Sequence, residues 1–253
     1  MKKDTVRQVL VLLSVLATIF VNGLASGLPL NGKTTGEISD SFDVFFVPAG
    51  YVFSIWGLIY LGLIAYAIYQ LLPAQADNSD LRSIGPLFIL SSLANMAWIF
   101  LWHYEVFPLT VVAMLILLAC LILIYLRLDI GRSQVSSGMR WFVHLPFSIY
   151  LGWITVATIA NVTTLLAYWN WSGWGISAEA WTVIMLAIAT AVGGLVSFTR
   201  GDIAYAAVLI WAFIGIAIKH SNNALVSTAA WAAAGITAIL LIAGVYRRRR
   251  KGD

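Results

Sequence analysis

Aromatic side chains crowd the start of one apolar run, within the segment VPAGYVFSIWGLIY at residues 47–60. Pro48 and Gly50 are typical of a loop, and an apolar run follows them directly. The rings that the run carries first are Tyr51, Phe53, Trp56 and Tyr60. A rigid ring buried in an apolar setting either fills a core or lines the site of a flat ligand. If these rings line a site, the chemistry that they offer is contact with a flat ligand; the alternative is that they fill a core.

Conventional catalysis has no support in the pattern of reactive side chains, because the sequence shows no nucleophile–base pair and no metal-ligand cluster. Cys120 is the only cysteine, so neither a disulfide framework nor a thiolate metal site can form within one chain. Three histidines near predicted helix ends are either solvated or available as axial ligands of a haem iron; they are His103, His144 and His220. We therefore predict no catalytic and no metal-binding residue. No cofactor is required, and porphyrin or haem is a candidate ligand.

The composition indicates the environment in which the chain folds. Hydrophobic residues make up 61% of the 253 residues, charged residues make up 10%, and the mean hydropathy is +0.90. So much apolar surface cannot be buried in one soluble core, and the expected environment is a lipid bilayer. The net charge of +4 comes mainly from the terminal RRRRK, which is typical of a membrane anchor and does not indicate nucleic-acid binding. No charged residue lies in a predicted membrane core, which disfavours ion-coupled transport.

Eight apolar runs of about 20 residues are long enough to cross the hydrocarbon core of a bilayer. They extend over residues 8–27, 51–72, 84–102, 107–127, 141–167, 181–199, 202–219 and 224–245. The seventh run is close to the lower length limit because Asp202 and Lys219 bound it. The pattern predicts an all-α integral membrane protein with eight transmembrane helices.

Basic residues fall mostly on one side of this topology. With the N-terminus in the cytoplasm, all 15 lysines and arginines except Lys33 and Lys219 lie in inner segments. We expect a multi-pass protein, in the plasma (inner) membrane, with both termini cytoplasmic. The first run, which follows Lys2, Lys3 and Arg7, also has the features of a cleaved signal peptide. That alternative would leave seven helices.

A change of composition after Trp174 divides the chain into two blocks. Residues 1–174 form a block of five helices studded with polar residues, and residues 175–253 form an Ala-rich block of three helices with the basic tail. Small residues on the last helix are expected to let helices approach closely, within the chain or in a homodimer; they are Ala229, Ala233 and Gly235.

Three asparagines lie five to seven positions inside the outer ends of the first, third and fifth runs; they are Asn22, Asn95 and Asn161. At about 1.5 Å per residue, this spacing places them in one layer. An unpaired amide in lipid costs several kcal/mol, so these side chains should point inward and bond across helices. They either hold helices together or also contact a ligand, and both roles are compatible.

The tryptophans divide into two groups by depth. Trp56, Trp98 and Trp153 lie within predicted spans, where an indole either fills the core or lines a flat-ligand site. The second group lies at predicted interfaces, where indoles favour the headgroup level; it consists of Trp141, Trp169, Trp171, Trp174 and Trp181.

Three segments, in order, carry a resemblance to the tryptophan-rich sensory protein/translocator protein (TspO/MBR) family. VPAGYVFSIWGLIYLG resembles the second-helix signature, LANMAWIFLW the third-helix motif, and YLGWITVATIAN the fifth-helix motif. The resemblance covers about residues 8–170. It implies a TspO-like five-helix bundle in the first block, with the last three helices as an addition that makes this chain a long variant.

The resemblance implies a membrane receptor or binding protein for a tetrapyrrole-like or other planar hydrophobic ligand, with a sensory or regulatory role. Trp56 and Trp153 would then line a cavity beneath the first loop, and Ala157 would leave room beside Trp153. The predicted ligand-binding residues are Tyr51, Phe53, Trp56, Asn95, Trp98, Trp153, Ala157 and Asn161. Two alternatives stay open: a permease or carrier for a small hydrophobic substrate, and a protein that degrades porphyrin with light or oxygen.

Overall fold

The structure is a computed structural model that describes residues 2–28 and 30–252, without the side chains at positions 2, 3, 26, 249, 251 and 252. Eight long helices account for most of the described chain, and no strand occurs in it. They are α1 (Lys2–Gly27), α2 (Ile55–Leu71), α3 (Ser79–His103), α4 (Phe107–Arg127), α5 (Leu145–Tyr168), α6 (Ala178–Arg200), α7 (Ile203–Lys219) and α8 (Ala224–Gly252). The all-α prediction is confirmed. Four basic residues of the orientation argument, Lys2, Lys3, Arg249 and Lys251, lie outside the described side chains.

The lengths of the helices agree with a multi-pass membrane protein. Within the described ranges, seven helices are long and apolar enough to cross a bilayer. The remaining long helix, α7, is apolar but has only 17 residues. At 1.5 Å per residue it is about 26 Å long, a little shorter than a hydrocarbon core of about 30 Å.

Side-chain caps set where several helices begin. Asn78 accepts hydrogen bonds from the backbone N–H groups of Asp80 and Leu81, at 3.0 and 3.2 Å, and thereby starts α3. Ser177 caps α6 in the same way through Ala180, and Asp202 caps α7. These caps satisfy N–H groups that the first turn of a helix leaves free.

The chain divides into two compact units, which are described separately. The first unit comprises the described residues of Met1–Asp40 and Trp56–Leu151, and the second comprises those of Ser41–Ile55 and Gly152–Asp253. The first unit therefore holds α1, α3 and α4 with most of α2 and the start of α5. The second holds the rest of α5 with α6, α7 and α8.

In the first unit, α3 packs against both α1 and α4. Gln8 and Gln70 join α1 to α2, because each side-chain amide donates to the backbone carbonyl of the other residue, at 2.5 and 2.9 Å. The core is aromatic: Tyr66, Phe88 and Phe147 pack edge to face, with ring centroids 5.0 to 6.0 Å apart. Such pairs add to the burial of apolar area.

In the second unit, α8 packs against both α6 and α7. Small residues allow this approach, since a Cβ at Gly244 would overlap the carbonyl oxygen of Ser197 on α6. The sequence placed the close approach at Ala229, Ala233 and Gly235. Ala233 is buried, but Gly235 is exposed, with no atom within 4 Å of the position a Cβ would take. Gly235 therefore makes no close approach within the described chain, and its part in a homodimer stays a prediction.

Candidate functional site

The aromatic segment that opens the second helix is anchored within the second unit. Residues Gly50–Ser54 form a 3-10 turn, and the N–H of Ala49 just before it donates to the carbonyl of Gly215 on α7 at 3.1 Å. The indole N–H of Trp211, one turn away on α7, donates to the carbonyl of Val52 at 3.3 Å. A Cβ at Gly215 would collide with Val52. The glycine therefore permits the close contact between this segment and α7.

Two rings of the segment pack edge to face on tryptophans of the same unit. Phe53 contacts Trp153 on α5, with ring centroids 5.6 Å apart and planes at 80°. Tyr51 contacts Trp211 on α7, at 5.1 Å and 81°. Trp153 is only 3% exposed, whereas Tyr51 is 44% exposed. The segment thus presents half-open rings backed by indoles.

The other two predicted ligand residues of the second unit lie on α5, beyond Trp153. Asn161 is buried and Ala157 is half-buried. Trp153, Ala157 and Asn161 follow one another at intervals of four residues, which is about one helical turn. They therefore share one face of α5.

The remaining predicted ligand residues belong to the first unit. Trp56 stacks on Tyr60, with centroids 5.6 Å apart, and lies 6.2 Å from the ring of Tyr150. Trp98 stacks on Trp102 at 5.1 Å. Both indoles therefore lie among rings of their own unit.

Asn95, the third predicted ligand residue in this unit, forms hydrogen bonds to two other side chains. Its side-chain oxygen accepts from Asn22 at 2.8 Å, and its amide donates to the hydroxyl of Tyr150 at 3.1 Å. Asn22 and Asn95 therefore share a layer in the first unit, as their spacing predicted. Asn161 belongs to the second unit.

Sequence reasoning missed Tyr150 and Trp211 as parts of these clusters. Tyr150 receives both a ring contact from Trp56 and the amide of Asn95, and Trp211 holds Tyr51 and Val52. Tyr150 is the first residue of the quoted fifth-helix motif, so that motif offered a signal. Trp211 lies in an apolar run with no motif and offered none.

A cavity of about 330 Å³ opens in the second unit, and it has none of the eight predicted residues in its walls. Its walls come from the end of α5, the start of α6, residues 171–176 between these helices, and the loop residues 43–46. Trp171 and Trp181, which the sequence assigned to a membrane interface, line it. The tryptophans that line the cavity are thus these two, and not the interior tryptophans Trp56, Trp98 and Trp153.

The histidines and acidic residues of the described chain include no group of three or more that could hold a metal ion. His103 is buried, and its two ring nitrogens contact the carbonyl of Ile99 at 2.8 Å and the hydroxyl of Thr35 at 3.3 Å. His220 lies against the ring of Phe45 at 5.2 Å. Burial and the charge of Lys219 lower the pKa of His220, which favours the neutral imidazole.

The family model described as TSPO-like protein matches residues 8–243, from α1 into α8 and across the predicted division at residue 174. No curated protein and no solved structure matches the chain significantly.

Proposed function

Because the chain belongs to the TSPO-like protein family, we propose that it is a membrane receptor or binding protein for a planar hydrophobic ligand of the tetrapyrrole type. The observation that carries the proposal is the pair of ring contacts in the second unit, Phe53 on Trp153 and Tyr51 on Trp211. In this proposal the partly exposed rings of the segment stack on the ligand, and the indoles behind them hold those rings in place.

Physical chemistry supports this reading of the ring pairs. An aromatic pair adds about 0.5–1.5 kcal/mol beyond the burial of its area, and offset or edge-to-face geometry is preferred. A planar ligand that adds a third ring to such a pair gains the same kind of contact. The backbone bonds of Ala49 and Val52 to α7 reduce the freedom that the segment would otherwise lose on binding.

Titration of the purified protein with protoporphyrin in an uncharged detergent tests the proposal. We expect saturable quenching of indole emission at micromolar ligand, which corresponds to about −8 kcal/mol. Free N-acetyltryptophanamide at equal absorbance corrects for inner-filter loss. Quenching no greater than in this control would remove the proposal. Ligand flux across proteoliposomes, or conversion of bound porphyrin to an open-chain product, would instead identify a carrier or a degrading enzyme.

A further inference from the structure

The cavity in the second unit has apolar walls along most of its length. Leu166 and Val162 line it from α5, and Met185 lines it from α6. Its volume of about 330 Å³ is at the lower end of the range for small-molecule sites, about 300–1,000 Å³. The space suits a ligand of roughly a dozen heavy atoms with an apolar body.

Indole rings form part of the cavity wall. Trp171 and Trp181 line it, with ring centroids 5.0 Å apart, and Trp174 packs on both, at 5.3 and 5.9 Å. The indole N–H of Trp181 is already donated to the carbonyl of Gly173 at 2.8 Å. Trp181 therefore has no N–H left to donate to a ligand, and what its ring can offer a cation is the negative face of the aromatic quadrupole.

The polar side chains around the cavity offer mainly acceptors. The hydroxyl of Thr163 donates to the carbonyl of Ala160 at 2.8 Å, and the hydroxyl of Thr182 donates to that of Ala178 at 2.9 Å. Because both hydroxyls donate their protons to backbone carbonyls, they can only accept hydrogen bonds from a ligand. Asp43, an exposed acidic residue, is also part of the lining, and the described lining residues include no lysine or arginine.

The start of α6 also lies at the cavity, and a helix N-terminus by itself favours an anion. Here the first turn already has polar partners within the protein. The side chain of Ser177 accepts a hydrogen bond from the N–H of Ala180, and Glu179 places a carboxylate in that turn. The positive end of the helix dipole is thereby offset within the protein. The charges in and next to the walls therefore favour a cation.

We propose that this cavity binds an ammonium group carried on a small apolar body, with the cation beside Asp43 and the indole faces. The apolar part of the ligand then lies against Leu166 and Met185. The proposal is independent of the planar-ligand function, because no wall residue belongs to the ring pairs at Phe53 and Tyr51. Either a free lipophilic amine or the amine headgroup of a lipid can supply this chemistry.

Three probes of one shape and different charge test the site: 4-phenylbutylammonium, 4-phenylbutan-1-ol and 4-phenylbutanoate. Their binding to the full chain in an uncharged maltoside detergent is measured by isothermal titration calorimetry. We expect the ammonium to bind about 2- to 30-fold more tightly than the alcohol, the range that a cation–π contact provides, and the carboxylate to bind most weakly. Equal affinities for the three probes, or preference for the carboxylate, would overturn the proposal.

Matched variants locate the binding. Asp43→Asn and Trp171→Leu should each weaken ammonium binding by about 3- to 10-fold and leave the alcohol nearly unchanged. Asp40→Asn and Trp169→Leu are the controls, since these residues are close in sequence but not in the walls. If a control variant weakens ammonium binding as much as its partner variant, the site is wrong.

Ser172→Lys provides a gain-of-charge test that does not depend on removing an aromatic wall. Ser172 is an exposed wall residue, and a lysine there should weaken the ammonium and tighten the carboxylate. An unchanged order of affinities would contradict the site. Addition of phosphatidylethanolamine or phosphatidylcholine to the micelles, with phosphatidylglycerol as control, identifies the source. Competition by the amine lipids alone indicates a headgroup ligand, and no competition indicates a free amine.

Discussion

The side chain of Asn22 on α1 donates a 2.8 Å hydrogen bond to the side-chain oxygen of Asn95 on α3, and both residues are buried in the first unit. Asn95 also donates to Tyr150, so its replacement by alanine breaks two bonds between helices. Asn22→Ala breaks one bond between helices and one to the carbonyl of Thr18 on its own helix. We expect Asn95→Ala to lower the free energy of unfolding in detergent by about 1–3 kcal/mol, and Asn22→Ala to lower it by less.

A double-mutant cycle on these two asparagines isolates their contact. The coupling between buried polar groups in membrane helices averages about 0.6 kcal/mol and reaches about 1.7 kcal/mol. A coupling of zero would mean that the amides do not hold α1 to α3.

Trp153→Phe tests the ring pair that carries the proposed function. Phenylalanine keeps a ring beside Phe53 but reduces its area, so protoporphyrin binding should weaken by about 0.5–1.5 kcal/mol in the fluorescence titration. Trp141→Phe is the matched control, because Trp141 is 62% exposed. Equal small effects of the two changes would identify Trp153 as simple core packing.

Two glycines on α8 form a matched pair for helix packing. Gly244→Ala introduces a methyl group where the carbonyl of Ser197 lies, whereas Gly235→Ala projects into open space. We expect Gly244→Ala to destabilise the protein by about 1–3 kcal/mol through overpacking. Gly235→Ala should be neutral or slightly stabilising, because alanine has the higher helix propensity. Thermal unfolding in detergent compares them, and equal melting temperatures would place the face of Gly244 in lipid.

The predicted orientation is tested by reporters at the two ends. We propose that both termini are cytoplasmic, because an even number of crossings joins them and the basic residues lie mostly on the inner side. A reporter that is active only in the cytoplasm should give signal when fused before Met1 and when fused after Asp253. Signal from only one end would mean that α7, with its 17 residues, does not cross the membrane.

His220 predicts how stability changes with pH. Because burial and Lys219 lower its pKa in the folded protein, the unfolded chain, with a histidine pKa near 6.5, binds the proton more readily. The stabilisation from neutral His220 is therefore complete above pH 6.5 and is lost as the pH falls below it. The melting temperature should decrease from pH 7 to pH 5 more in the native sequence than in His220→Gln. Parallel decreases would exclude this histidine as the cause.

Sequence patterns predicted the helices but not all of their ends. Hydropathy starts the third run at residue 84, whereas α3 begins at Ser79. The cap at Asn78 allows the mostly polar segment 79–83 to form the first turn of the helix. A window that counts only apolar residues cannot register a cap that acts through two backbone N–H groups. A search for a Ser, Thr, Asp or Asn cap before the first turn would have identified Asn78 as the start signal.

The sequence suggested which aromatic residues to consider for the candidate site, but it could not predict which residues they contact. Phe53 and Trp153 are 100 positions apart, and Val52 and Trp211 are 159 apart. Such pairs depend on how helices pack, which a single sequence does not encode in any local pattern. The shared layer of Asn22 and Asn95 was predictable because depth follows directly from the constant rise of a helix.

The bond from Ala49 to Gly215 has a consequence for any shortened form of this protein. A chain that stopped at residue 174 would keep every residue of the TspO-like motifs and lose the helix on which the second-helix signature rests. The N–H of Ala49 would then need a new partner, at about 1–3 kcal/mol if it is left buried and unbonded. The carbonyl of Val52 would lose the indole N–H of Trp211 and keep only the N–H of Ile55. Truncation after the fifth helix would thus disturb the signature itself, because α7 supplies the bonds that hold its backbone.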